Sequence, residues 1–176
     1  MKKLPNLPQD AAQETSPGAK PHTPHVLDHR IPPPIVTFLT AVMMWAVAQV
    51  TPRLSFEGVL RFVIPAGVGL LGVGAVSLGF VAFRRAKTTI SPTSPESASS
   101  IVTGGIYRYT RNPMYVGFAI ILVGWALYLA AVASLLGPVV FVLFITRFQI
   151  IPEERVLLSK FGREYANYQG QVRRWL

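Results

Sequence analysis

The chain contains no cysteine. That excludes a disulfide framework, a thiolate metal site and a cysteine nucleophile, and it leaves the redox compartment without a marker. Acidic residues are scarce too, 8 against 17 Lys and Arg in 176 residues, for a net charge of +9. From Asn112 to Thr146 there is no charged residue of either sign. With 51% hydrophobic and 14% charged residues overall, a soluble globular domain is disfavoured. A basic chain of this kind has two acidic partners open to it, nucleic acid and a membrane surface.

The residues that are present decide between them. Apolar runs cover Ile35 to Val50 and Phe62 to Phe83, and the charge-free stretch supplies a third. As one helix, at about 1.5 Å per residue, that third run would reach roughly 50 Å against a hydrocarbon core of about 30 Å. It has to fold back. Gly137-Pro138 is the expected turn, because glycine ends helices and proline starts them. The expectation is therefore an all-α membrane protein with four transmembrane helices, near residues 33–51, 60–83, 114–134 and 138–151, and a cytosolic C-terminal amphipathic helix. The bilayer is then the expected partner, with no nucleic acid.

Charge asymmetry gives an independent check. With the amino terminus inside, the inner segments hold Lys2, Lys3, Lys20 and Arg30, then Arg84, Arg85, Lys87, Arg108 and Arg111, then Arg147, Arg155, Lys160, Arg163, Arg173 and Arg174. The outer hairpin keeps only Arg53 and Arg61. A multi-pass protein of the cell membrane, that of a bacterial inner membrane, with both termini cytosolic is expected. The first apolar run follows a proline-rich stretch and lacks a small-residue cleavage pattern, so no signal peptide is expected.

Residues 1–33, with Pro5, Pro8, Pro17, Pro21, Pro24 and prolines from Pro32 onward, read as a disordered tail ahead of a membrane domain over 34–176. All three histidines, His22, His25 and His29, lie in that tail. Without a supporting second layer of contacts they make a poor metal site, and no metal is expected. Gly67-Val68-Gly69-Leu70-Leu71-Gly72 has the spacing of a dinucleotide loop but none of its context, neither a preceding strand nor an acid about 20 residues on. Helix packing is the better reading. Gly67, Gly74, Ala75 and Gly79 in the second span, and Gly117, Gly124 and Ala131 in the third, would let backbones approach.

The informative sequence lies at the inner ends of the last two spans. Before the third runs I-V-T-G-G-I-Y-R-Y-T-R-N-P-M-Y-V-G, Ile101 to Gly117; after the fourth comes R-F-Q-I-I-P-E-E-R-V-L-L-S-K-F-G-R-E-Y-A-N-Y, Arg147 to Tyr168. A short hairpin would bring Arg111 and Tyr115 close to Arg147, Glu153 and Glu154. Singly, each block has a structural explanation. Pro113 can start a helix, Arg111 can snorkel, and Tyr107, Tyr109 and Tyr115 can form an aromatic belt. Pro152-Glu153-Glu154 can be a helix start, and Leu157, Phe161, Tyr165 and Tyr168 recur at the spacing of a helix lying on the bilayer. Their conjunction, two carboxylates and two arginines among tyrosines at the membrane surface, is a candidate site.

The ordered blocks I-V-T-x-G-x-Y, R-N-P-x-Y-x-G, P-E-E-R-x-L and F-G-x-x-Y-x-x-Y resemble the integral-membrane methyltransferases that include isoprenylcysteine carboxyl methyltransferases and phospholipid methyltransferases. The ending V-R-R-W-L is similar to their bacterial branch. The resemblance covers Ile101 to Tyr168. It implies S-adenosylmethionine as methyl donor, bound at the cytosolic mouth of the helices, and a lipophilic or small-molecule methyl acceptor of carboxylate or thiol type. Carried over by motif, Val102, Tyr107, Asn112, Pro113, Met114 and Tyr115 match the segment lining the cofactor, and Glu153 and Glu154 match the paired glutamates. Arg111 and Arg147 are the candidate catalytic residues, with Gln149 competing with Arg147 for the substrate. Many eukaryotic carboxyl methyltransferases have histidine where this chain has Asn112, which bears on a prenylcysteine substrate more than on the cofactor. Phospholipid N-methylation and a non-enzymatic scaffold are the alternatives.

Overall fold

The structure, a computed structural model, describes residues 31–55, 58–86 and 100–176. The expected tail, apart from its last three residues, and the three histidines lie outside the described residues. Six α-helices are described: α1 Pro33–Val50, α2 Leu60–Arg85, α3 Pro113–Leu129, α4 Leu136–Ile145, α5 Ile151–Phe161 and α6 Arg163–Gln171. No strand occurs among the described residues beyond one isolated bridge, Arg53 with Ala131. Helices α1 and α2 and the continuous rod Val132–Phe161 are each long and apolar enough to cross a membrane, and α3 is a shorter apolar helix. The chain is an all-α membrane protein.

Helices α2 and α3 lie backbone to backbone. A Cβ added at Gly72 would fall 2.6 Å from the Gly117 carbonyl oxygen, and one at Gly117 would fall 2.6 Å from the carbonyl of Gly72. At Gly124 it would lie 2.9 Å from both the Gly69 nitrogen and the Pro65 oxygen. Contacts this close supply dispersion where lipid leaves no hydrophobic drive between helices. Packing, not nucleotide binding, accounts for the Gly67–Gly72 run, with one correction: a side chain at Gly67, Gly69 or Gly74 would face open space, and the contact is made at Gly72 and Gly79 and by Gly124 against the Gly69 backbone. Thr37, Thr40 and Thr146 return their hydroxyls to carbonyls four residues back, so these polar groups are satisfied within their own helices.

The fold-back does not occur at Gly137-Pro138. Helix α3 ends at Ala130, a left-handed residue at φ 53°, and the chain turns through the 3₁₀ segment Val132–Leu135 into α4. Leu54 N–H donates to Ala130 O at 2.7 Å and Ser134 Oγ–H to Met44 O at 3.3 Å, so tertiary bonds fix the turn where local sequence gives no glycine. Gly137 instead sits against Met44, where its lack of a side chain lets α4 meet α1. Pro138 occupies the first turn of α4, where the missing N–H costs nothing.

Pro152 is the second residue of α5, but no separate helix begins there. The rod runs from α4 into α5 through a π-turn, Thr146–Ile150, directly ahead of the proline. Proline lacks an N–H and crowds the carbonyl four residues back, and a widened turn accommodates both. The reading of residues 153–169 as one helix lying on the bilayer is also displaced. Gly162 at φ +52° breaks the rod, and α6 turns Tyr165 and Tyr168 into the protein, 3% and 8% exposed, rather than onto lipid.

Candidate functional site

Five segments meet at one end of the bundle: the start of α1, the turn Gly105–Arg108, the start of α3, the π-turn with α5, and the chain after α6. Gln149 Nε2–H donates to Ile31 O at 2.7 Å, joining the π-turn to the start of α1. Tyr168 Oη–H donates to Tyr107 O at 2.8 Å, joining α6 to the 3₁₀ turn. Arg111 N–H donates to Arg173 O at 2.9 Å.

The paired glutamates part company here. Tyr115, buried on α3, donates its hydroxyl to Glu153 Oε1 at 2.6 Å. No second protein bond reaches Glu153 among the described residues. Glu154 is 8% exposed and doubly held: Arg174 grips it through Nε to Oε1 at 3.0 Å and Nη2 to Oε2 at 2.7 Å, and Arg111 Nη1 lies 3.3 Å from Oε1. A bidentate guanidinium on a largely dry carboxylate is a strong, oriented contact. Arg111 meets Glu154 as an ion pair only: its Nε and Nη1 are both buried with no hydrogen-bond partner among the described residues, as is Gln149 Oε1.

Aromatic hydroxyls surround this pair. Burial pushes the Tyr165 hydroxyl up to about 12, with Glu154 adding to the shift and Arg111 opposing it. Burial likewise raises Tyr107 and Tyr168 above the ordinary tyrosine value. These three phenols stay protonated at physiological pH and can only donate or accept hydrogen bonds.

The structure brings most of the sequence candidates together. Arg111 reaches Glu154 and Tyr115 reaches Glu153. Asn112 donates its amide to Arg174 O at 2.9 Å, while its own N–H goes to Thr110 Oγ1 at 3.2 Å. Pro113 is the buried first residue of α3, and Met114 packs over Gly79 of α2. Tyr107 is buried edge-on to Phe83, ring centroids 5.4 Å apart. Val102 is half-buried in the extended segment leading to that turn. Arg147 stands apart: its guanidinium lies 5.4 Å from the Phe148 ring centroid, and neither a hydrogen bond nor an ion pair joins it to the glutamates. Sequence reasoning missed Thr110, Thr146, Arg174 and Trp175. The signal was present in V-R-R-W-L, whose two arginines and tryptophan follow the last helix, but their partners lie 20 to 64 positions away.

Comparison with known proteins identifies the family. A family model described as phospholipid methyltransferase matches residues 60–164, from the start of α2 to the start of α6. An uncharacterized protein of Haemophilus influenzae is 48% identical over 63 residues, 36% of this chain and all of that protein. The protein-S-isoprenylcysteine O-methyltransferase of Schizosaccharomyces pombe is 41% identical over 73 residues, 41% of this chain and 30% of its own length. A probable protein-S-isoprenylcysteine O-methyltransferase of Oryza sativa is 34% identical over 116 residues, 63% of this chain and 59% of its own. Helical spans carrying a polar cluster at one mouth define a class of integral-membrane methyltransferases. The chain belongs to the phospholipid methyltransferase family within it. It spans 30% and 59% of the lengths of these two named methyltransferases.

Proposed function

We propose that the chain is an integral-membrane methyltransferase that uses S-adenosylmethionine and acts on a lipophilic or membrane-accessible acceptor of carboxylate or thiol type. The observation that carries this reading is the division between the two glutamates. Glu154 is consumed by two arginines, while Glu153 is oriented by one phenol and keeps an oxygen for a ligand. The residues fit the donor. A carboxylate with one open oxygen suits an ammonium or ribose hydroxyls, and the buried, unpartnered Nε of Arg111 suits a carboxylate. Glu153 and Arg111 are the residues proposed to hold it, with Tyr107, Asn112, Pro113, Met114 and Val102 forming the wall beside them.

Bound there, S-adenosylmethionine supplies an electrophilic methyl group. The chain's own work is to align the acceptor with that methyl and to exclude water. An anionic acceptor needs no general base, and charge neutralisation is favoured in a low-dielectric site. Arg147, which has no carboxylate partner among the described residues, is the proposed contact for such an acceptor. An apolar groove of about 550 Å³ between α1 and α3 supports a lipophilic one. Its lining begins at Pro34, three residues from the carbonyl that Gln149 holds, and includes Phe118, one turn from Tyr115. The charge asymmetry supports a cytosolic site: Arg84, Arg85, Arg108, Arg155 and Arg163 lie at this end and Arg53 and Arg61 at the other.

The family description favours one second reading, N-methylation of a phospholipid. An amine acceptor must arrive neutral, and Glu153 would then serve as its base. Purified protein with methyl-labelled S-adenosylmethionine, offered prenylated cysteine, alkyl thiols or phosphatidylethanolamine, separates the two. Label in an ester or thioether supports the proposal, label in the lipid amine supports the second reading, and no label in any acceptor counts against both.

A further inference from the structure

Three residues beyond α6 bind the Thr110–Asn112 segment, Glu154 and the π-turn. Arg173 O accepts from Arg111 N–H at 2.9 Å. Arg174 O accepts from Asn112 Nδ2–H at 2.9 Å and from Thr110 Oγ1–H at 3.2 Å, while the Arg174 side chain takes both oxygens of Glu154. Trp175 Nε1–H donates to Thr146 Oγ1 at 3.1 Å, at the first residue of the π-turn, and its ring packs on the hydrophobic core. Val172 leaves α6 in an extended conformation, φ −123° and ψ 134°, and the chain bends again at Arg174, so successive residues reach different neighbours.

The elements it touches are the ones least able to fix their own position. Asn112 joins a 3₁₀ turn to α3 at φ −131° and ψ 53°, and no side-chain cap holds it there. The π-turn is the single widened stretch of the last rod among the described residues. Among the described residues the segment 110–112 meets α5 through the Arg111–Glu154 ion pair, and three further bonds run from it to Arg173 and Arg174. Thr110 is 2% exposed, so opening this contact would leave a buried hydroxyl exchanging partners with its neighbour's amide alone.

We infer that Arg173–Trp175 is a positioning strap for the ligand site. It sets the spacing between Asn112, Glu154 and the π-turn without itself touching ligand. Arg174 and Trp175 are accordingly positioning residues, and the inference rests on the methyl-donor reading above for the ligand it names. A purely structural tail would change stability alone. A positioning strap changes affinity in protein that is still folded.

The test uses the full chain in detergent with Arg174→Ala, Arg174→Lys and Trp175→Phe, the last keeping the ring and removing the donor. Hydrogen exchange at the Arg111 amide reports the strap directly, and calorimetric titration with S-adenosylhomocysteine reports the site. In Arg174→Ala the Arg111 amide is expected to exchange at least about tenfold faster while the α2 and α4 amides are unchanged, and affinity is expected to fall about tenfold or more. Arg174→Lys, which keeps the charge, should restore part of both, and Trp175→Phe should weaken binding with little change in melting temperature. Unchanged Arg111 protection overturns the strap. So does lost protection with affinity within about twofold of wild type, since the tail would then be structural only. Failure of the wild-type chain to bind marks the donor reading as wrong and takes the strap's role in binding with it; failure confined to the variants marks the strap alone.

Discussion

The Tyr115 hydroxyl lies 2.6 Å from Glu153 Oε1, a contact between α3 and α5 across 38 positions of sequence. Tyr115 is buried, so the bond forms in a poorly solvated setting and orients the carboxylate. Tyr115→Phe removes the phenol and keeps the ring. An ordinary hydrogen bond contributes about 0.5–1.5 kcal/mol, so ligand affinity is expected to fall by roughly 2- to 10-fold. Titration with S-adenosylhomocysteine checks it, with far-ultraviolet circular dichroism to confirm the helices.

Close backbone approach between α2 and α3 makes a steric prediction. Gly117→Ala places a methyl against the Gly72 carbonyl and is expected to cost about 1–3 kcal/mol. Gly74→Ala adds its methyl in open space and should be neutral or stabilising by up to about 1 kcal/mol, because glycine is costly within a helix. Thermal unfolding in one detergent compares them. Equal melting temperatures would contradict the packing described here.

The absence of cysteine makes topology directly measurable. Single cysteines at Ser55 and Ser100, both exposed, sit at opposite ends of α2. In intact cells a membrane-impermeant maleimide is expected to label Ser55→Cys, and to label Ser100→Cys only after permeabilisation. The reverse pattern would place the site outside.

How much of this was legible depended on the range of the interactions. The α1 and α2 boundaries followed from uninterrupted apolar runs, and the approach of Arg111 and Tyr115 to the two glutamates followed from folding two spans together, although Arg147, expected beside them, stands apart. The turn at Ala130 was not legible, because tertiary bonds from Leu54 and Ser134 hold it and a left-handed alanine has no local signature. Gly137-Pro138 looked like a turn, yet its glycine serves contact with Met44. The division between Glu153 and Glu154 was equally hidden. Adjacent carboxylates look alike in sequence, and only the return of Arg174 from beyond α6 distinguishes them.

That division is the central claim, and one calorimetric series tests it: titration of S-adenosylhomocysteine into wild type, Glu153→Gln and Glu154→Gln, each with its ligand-free melting temperature. Glu153→Gln is expected to lose about 2 kcal/mol of binding, roughly thirtyfold, with an almost unchanged melting temperature. Glu154→Gln leaves two arginines without their carboxylate and is expected to lose about 3 kcal/mol of stability. Near-wild-type affinity in Glu153→Gln, with the binding loss appearing only in Glu154→Gln, would contradict the account.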